Sequence, residues 1–262
     1  AMAVKALKEK QVNHNYRSDD SLLTAIELND LSKVKMLISS GLLTFSTRDN
    51  NIILSCVDKD PCILKYILKN TNIDPNSKKY YAKHPIIKAC REGTKEIITI
   101  LLNDKRVDPS VDENKALINA IEIQQPEIVE LILANEKVIP GNNPGIFKEA
   151  IKRKDVEIFK LISQYEDIDF KGESIKYYHH KPIYIAATIG FYEAVDFLLT
   201  SKNIDPSIEN NQLIIESNDY KNDNITELLF KDKRVYTTLK SVNEILFHKL
   251  NKNKIQNKIA DF

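Results

Sequence analysis

Apolar residues along this chain fall in short bursts at i, i+1, i+4 and i+5. Examples are Glu96-Ile97-Ile98-Thr99-Ile100-Leu101-Leu102, Glu127-Ile128-Val129-Glu130-Leu131-Ile132-Leu133 and Glu193-Ala194-Val195-Asp196-Phe197-Leu198-Leu199. That spacing lines one face of a short α-helix. Before each burst comes a second helical pattern centred on a small residue, and after it an aliphatic residue closes the block. The small residue recurs at Ala25, Ser55, Ala89, Ala120, Ala150, Ala186 and Ser217, and the closing residue at Leu43, Ile73, Val107, Val138, Ile168, Ile204 and Val235. Both columns advance by the same 30, 34, 31, 30, 36 and 31 residues, a register that chance does not hold through seven blocks. Such a period marks a repeat architecture, whose blocks bury their apolar faces only against their neighbours.

Each block reads as a short helix, a tight turn, a second helix and an extended loop. Pro85 and Pro182 fit the first turn of the first helix, where a missing N–H costs nothing. Ala89-Cys90 and Ala186-Ala187 follow, small enough to let helices approach closely. Glu96, Glu127, Glu157 and Glu193 open the second helix, where its positive end favours an acidic residue by roughly 0.3–1 kcal/mol. Asp74-Pro75, Asp108-Pro109 and Asp205-Pro206 end the block, because proline cannot continue a helix.

The two long steps have a common cause. Their extra residues fall just before Lys79-Tyr80-Tyr81-Ala82-Lys83-His84-Pro85-Ile86 and Lys176-Tyr177-Tyr178-His179-His180-Lys181-Pro182-Ile183, two copies of one KYY string. These loops are expected to be the longest fingers of the array. Two readings stay open: the tyrosines bind a partner, or each pair packs on its neighbouring finger.

Helix pairs of this length whose first helix begins with a T-P-L-H-x-A-like string resemble the ankyrin repeat family. The best matches are His84-Pro85-Ile86-Ile87-Lys88-Ala89-Cys90-Arg91-Glu92-Gly93 and Lys181-Pro182-Ile183-Tyr184-Ile185-Ala186-Ala187-Thr188-Ile189-Gly190. The family's glycine after the first helix is replaced by Asn29, Lys59, Gln124, Lys154 and Lys221 in the other blocks. The resemblance implies an all-α solenoid of about seven helix-turn-helix units with projecting loop or β-hairpin fingers and helical caps. Residues 1–19 would form a tag remnant and capping helix, 20–235 the array, and 236–262 a C-terminal capping helix and tail, in which Leu239, Val242, Ile245, Leu246 and Leu250 lie at helical spacing.

Composition narrows the function. A net charge of +1 offers no bulk field for nucleic acid or an anionic membrane. No stretch approaches the roughly 18 apolar residues of a membrane span. Three cysteines, Cys56, Cys62 and Cys90, make no disulfide framework and no metal-ligand spacing, so a reducing, cytoplasmic home is expected, with secretion as an effector of an intracellular organism compatible with it. Cys56 and Cys90 sit beside the small-residue column and are expected to be buried. The opening Ala1-Met2-Ala3 reads as a tag remnant, which leaves room for a targeting signal or flanking domains.

Catalytic patterns are missing from the sequence: no G-x-S-x-G, no phosphate-cradling glycine loop and no H-E-x-x-H. The glutamate column has its explanation in helix electrostatics, and His179-His180 has no cysteine or acidic cluster at ligand spacing. No enzyme, cofactor or metal is expected.

What remains is a surface. By resemblance, partners of ankyrin arrays dock on the concave side made by the fingers and the exposed face of the first helices. Transferred by position, the finger residues include Tyr80, Tyr81, Lys83, Asp112, Asn114, Asn142, Tyr177, Tyr178, His180, Glu209 and Asn211. The helix-face residues include Arg91, Glu92, Glu122, Ile123, Lys152, Arg153, Thr188, Ile189, Asp219 and Tyr220. Tyr and Arg tend to dominate binding energy. The expectation is a monomeric scaffold or adaptor for another protein. The alternative is an oligonucleotide binder, with KYY rings stacked on bases and Lys79, Lys83, Lys176 and Lys181 on phosphates, which the near-neutral charge disfavours.

Overall fold

The computed structural model of the chain describes residues 18–41, 43, 51–76, 84–92, 94–166, 168–172, 181–201 and 204–260. Contacts divide it into two compact units, Ala1–Ile139 and Pro140–Phe262. Among the described residues all regular structure is helical.

Among the described residues the first unit contains four helix pairs: α1 (Ser18–Glu27) with α2 (Leu31–Ser39), α3 (Asn51–Ser55) with α4 (Pro61–Asn70), α5 (Pro85–Glu92) with α6 (Lys95–Leu102), and α7 (Val111–Glu122) with α8 (Pro126–Leu133). First helices pack on first helices, α1 on α3, α3 on α5 and α5 on α7, while α2, α4, α6 and α8 stack in the same way. The second unit repeats the scheme. Its pairs are α9 (Pro144–Arg153) with α10 (Val156–Ser163), α11 (Pro182–Thr188) with α12 (Tyr192–Thr200), α13 (Ile208–Asp219) with α14 (Asp223–Lys231), and α15 (Lys233–Val242) with α16 (Glu244–Ala260).

The two sequence columns form the core. Ala25, Ala89, Ala120, Ala150, Ala186 and Ser217 are fully buried and the closing residues Ile73, Val107, Val138, Ile168, Ile204 and Val235 are buried, whereas Ser55 and Leu43 are half-buried. Cys56 and Cys90 are buried beside the column, and burial pushes both thiols up to about 12. Five rings, Phe147, Phe159, Phe170, Phe191 and Phe197, fill the second unit with centroids 5.0–5.7 Å apart.

Prolines open α4, α5, α8, α9 and α11, and an acidic residue stands in the first turn of α6, α8, α10 and α12. The turn within a pair carries the decisive geometry. Asn29, Gln124, Lys154 and Lys221 take left-handed φ of 56°, 53°, 55° and 58°, beside 73° at Gly190, so the backbone shape outlives the glycine at four of the five replaced positions; Lys59, the fifth, does not take a positive φ. The residue after this position returns its N–H to the carbonyl of the small column: Asp30 to Ala25 at 2.9 Å, Phe191 to Ala186 at 2.8 Å and Asn222 to Ser217 at 3.0 Å. This six-to-one bond is the Schellman closure of a helix end. At 190 glycine also leaves room for a neighbour: a Cβ there would stand 2.9 Å from Oδ1 of Asn222 and require that side chain, whose Nδ2 donates to the Ala187 carbonyl at 2.8 Å, to shift.

The C-terminal segment departs from the expected single helix. Asn243 breaks it, with its side chain accepting from Leu246 N–H at 3.0 Å, and α15 and α16 pack as another pair. Leu239, Leu246 and Leu250 turn inward, whereas Val242 and Ile245 are 41% and 86% exposed, because the break rotates them off the buried stripe. The first 17 residues, expected to hold a capping helix, lie outside the described residues.

Two outcomes are expected. At pH 8 a thiol reagent should modify Cys62, which is exposed, and should reach Cys56 and Cys90 only after denaturation; mass spectrometry of native and urea-treated samples checks this. Lys221→Gly should raise stability by about 0.5–1 kcal/mol, because relief of left-handed strain exceeds the added freedom of the unfolded chain, measured by urea titration.

Candidate partner-binding surface

The residues expected at the ends of the first helices do lie at helix ends, and their charges are paired within the fold. In the first unit Lys88 Nζ bridges Asp58 at 3.4 Å and Glu92 at 4.0 Å, and Arg91 stands 3.9 Å from Glu92. Glu122 pairs with Lys115 at 3.7 Å, and Lys95 with Glu127. In the second unit Glu149 takes Arg153 at 2.6 Å and Lys152 at 3.6 Å. Thr188 is half-buried, its hydroxyl donating to the Ile185 carbonyl at 3.1 Å. Tyr220 stands out at 62% exposure, with Asp219 exposed beside it and Ile123 and Ile189 half-buried at the corresponding turns.

Tyr80, Tyr81, Lys83, Tyr177, Tyr178 and His180 lie outside the described residues. The described residues on either side of the first string, Asn76 and His84, are tied to each other. His84 is buried, its Nδ1 donating to the Asn76 carbonyl, and its Nε2 is 3.9 Å from Asp112. Asn76 in turn accepts from Asp108 N–H at 2.7 Å and donates to the Arg106 carbonyl.

Asn114 and Asn211 are not surface finger residues. They are 2% and 0% exposed, and each ends a run of three left-handed residues, Asp112-Glu113-Asn114 at φ 50°, 58° and 61° and Glu209-Asn210-Asn211 at 50°, 56° and 60°. Asn142, expected on a third finger, lies in the 3₁₀ turn Pro140–Asn142. A left-handed non-glycine residue costs about 1–2 kcal/mol, least for Asn and Asp. The runs are held from both sides. Upstream, Asp108 Oδ1 accepts from the N–H and hydroxyl of Ser110 at 2.9 and 2.7 Å, and Asp205 does the same for Ser207 at the same distances. Downstream, Asn114 Nδ2 donates to the Ile139 carbonyl at 3.0 Å, and Asn211 Nδ2 to Thr238 Oγ1 at 2.8 Å. The asparagine belongs inside because its amide ties the turn to the following element.

Sequence reasoning missed a second kind of tie. The residue before a closing valine is a cation, Arg106, Lys137 or Arg234, which reaches back to carbonyls of the preceding pair. Arg106 donates to Leu68 at 3.0 Å and Ile73 at 3.3 Å, Lys137 to Val107 at 3.1 Å, and Arg234 to Ile204 at 2.6 Å. The Arg106 guanidinium holds the Asp104 carboxyl below its usual range, and Arg234 does so for Asp232. The recurring Asp-Lys-Arg-Val at 104–107 and 232–235 was the available signal. These groups are structural partners, which accounts for the lowered carboxylates without chemistry. Among the described residues no cluster of three or more His, Cys, Asp or Glu could hold a metal ion, and no helix is long and apolar enough to cross a membrane.

Stacked helix pairs with left-handed inner turns and loops between pairs define a helical repeat array. Residues 52–143 match the family model for ankyrin repeats, in three copies. Ankyrin repeats generally mediate protein–protein interaction, and proteins built from them are typically non-enzymatic scaffolds. No curated protein matches the chain.

Asn114→Ala should destabilise the protein by roughly 1–3 kcal/mol, combining strain at a left-handed position with the lost bond to Ile139. Asn114→Gly, which keeps the dihedral, should lose less; urea unfolding of the two variants separates the contributions.

Proposed function

We propose that this chain is a protein-interaction module, a scaffold or adaptor without catalytic activity that recognises another polypeptide through its loops and first-helix ends. The partner-binding residues on this reading are Tyr80, Tyr81, Lys83, Arg91, Glu92, Glu122, Lys152, Arg153, Tyr177, Tyr178, His180, Thr188 and Tyr220. The observation that carries it is the character of the described helix ends. Their charges are already paired with neighbours, so they present a preorganised polar surface, and Tyr220 supplies an exposed ring. Preorganised side chains lose little entropy on docking, and tyrosine and arginine are the types that carry most of the energy of protein interfaces.

The same pairing weighs against an oligonucleotide partner. A phosphate-binding stripe needs cations free to replace counterions, whereas Lys88, Arg91, Lys115, Lys152 and Arg153 each have a carboxylate within 4.0 Å. A reducing intracellular setting, residues 20–235 as the array and the flanking segments as caps complete the proposal.

Replacing Tyr80, Tyr81, Tyr177 and Tyr178 together by alanine is expected to remove partners captured by the wild-type chain while leaving the helical circular dichroism spectrum unchanged. Identical capture by two equally folded proteins would sink this assignment.

A further inference from the structure

The second helices do not share one charge pattern. Seven positions after the small residue, α6, α8, α10 and α12 carry Glu96, Glu127, Glu157 and Glu193, whereas α2 and α4 carry Ser32 and Cys62. Neither α2 nor α4 contains an acidic residue. Three positions further on they place Lys35 and Lys65 at the same register on stacked helices, and Lys69 follows one turn later on α4. All three lysines are exposed. Lys69 suits the last turn of α4, where the negative end of a helix attracts a cation, but Lys35 and Lys65 stand in mid-helix. Lys65 and Lys69 also repel each other as like charges four residues apart. Among the described residues none of the three has a carboxylate partner, in contrast to Lys88, Arg91, Lys95 and Lys115 of the same unit. Asp30 and Asp60, the aspartates that precede these helices, cap them instead, accepting from Lys33 and Cys62 N–H at 2.9 and 2.8 Å.

Apolar surface accompanies the charge. Met36, 40% exposed, and Tyr66, half-buried, follow Lys35 and Lys65 in register, and Lys35 Nζ lies over the Tyr66 ring, 5.7 Å from its centroid. We propose that this face of α2 and α4 is a docking surface for an acidic segment of a partner protein. Its carboxylates meet Lys35, Lys65 and Lys69, and an apolar side chain rests on Met36 and Tyr66. The surface is separate from the first-helix ends and does not depend on the reading given for them. Charge complementarity selects the occupant, since three unpaired cations reward a negative partner and repel a positive one. A polypeptide fits better than a nucleic acid for two reasons. The Tyr66 ring has Lys35 over it and is not open to a stacking base. A phosphate backbone running on along the same layer would meet exposed Glu96 on α6 and exposed Glu127 and Glu130 on α8.

The probe is a synthetic peptide repeating Glu-Glu-Leu-Glu over about 20 residues, long enough as a helix to cross both α2 and α4. Its binding to the whole chain is read by fluorescence anisotropy. Lys35→Glu, Lys65→Glu and Lys69→Glu together should weaken it about tenfold or more, the combined worth of three exposed ion pairs. The same reversal at Lys160, Lys231 and Lys240, exposed lysines of the second unit, should change it less than about twofold. Bound peptide should also slow alkylation by iodoacetamide of the exposed Cys62, which lies one turn before Lys65 and Tyr66. If the glutamate variant melts at a lower temperature, Lys35→Gln, Lys65→Gln and Lys69→Gln make the same comparison. Equal loss from the two sets of reversals, unchanged alkylation of Cys62 or no peptide binding would overturn the proposal. So would tighter binding of an oligothymidylate, or of phosphatidylcholine vesicles containing phosphatidylserine, that depends on the same three lysines.

Discussion

A helix of eight to ten residues is not stable alone in water, since nucleation costs more than so few hydrogen bonds return. Every helix here but the last is about that short or little longer, so each depends on the helix stacked beside it. The controlling constraint is the turn between the two helices of a pair. It must reverse the chain within three residues and leave no helix carbonyl stranded. A left-handed residue followed by an N–H returning to the small-column carbonyl meets both demands. The small side chain at that column then allows the next pair to approach, and the apolar bursts find their covering.

That hierarchy explains which parts were legible in the sequence. The helix pairs are readable because burial writes a residue type at most positions of both columns, Ser55 and Leu43 being the half-buried exceptions. The resemblance to ankyrin repeats is readable in the first helix at Pro85–Glu92, within the stretch that matches the family model. The inner turns are readable as places, since Asn29, Lys59, Gln124, Lys154 and Lys221 stand where glycine would, although the sequence does not say that the left-handed dihedral persists at four of them and is lost at Lys59.

The candidate surface was less legible, for a physical reason. A side chain that bonds a backbone carbonyl some 30 residues upstream leaves no local periodicity, so Arg106, Lys137 and Arg234 look like ordinary surface cations until the pairs are stacked. Asn114 and Asn211 mislead in the opposite sense. Polar residues in a loop suggest exposure, but an amide that satisfies the next element is worth more inside, and asparagine tolerates the left-handed backbone that carries it there. The break at Asn243 is a capping signal that a purely hydrophobic reading passes over.

The cation-to-carbonyl ties reach back one helix pair and no further. Each addresses main-chain oxygens, which every sequence supplies, so a new pair inserted at such a junction presents the acceptor that its successor requires. An array wired in this way can lengthen or shorten by whole pairs in the course of descent with little repair at the seams, and its joints constrain the identity of the joined residues far less than a jigsaw of side chains would.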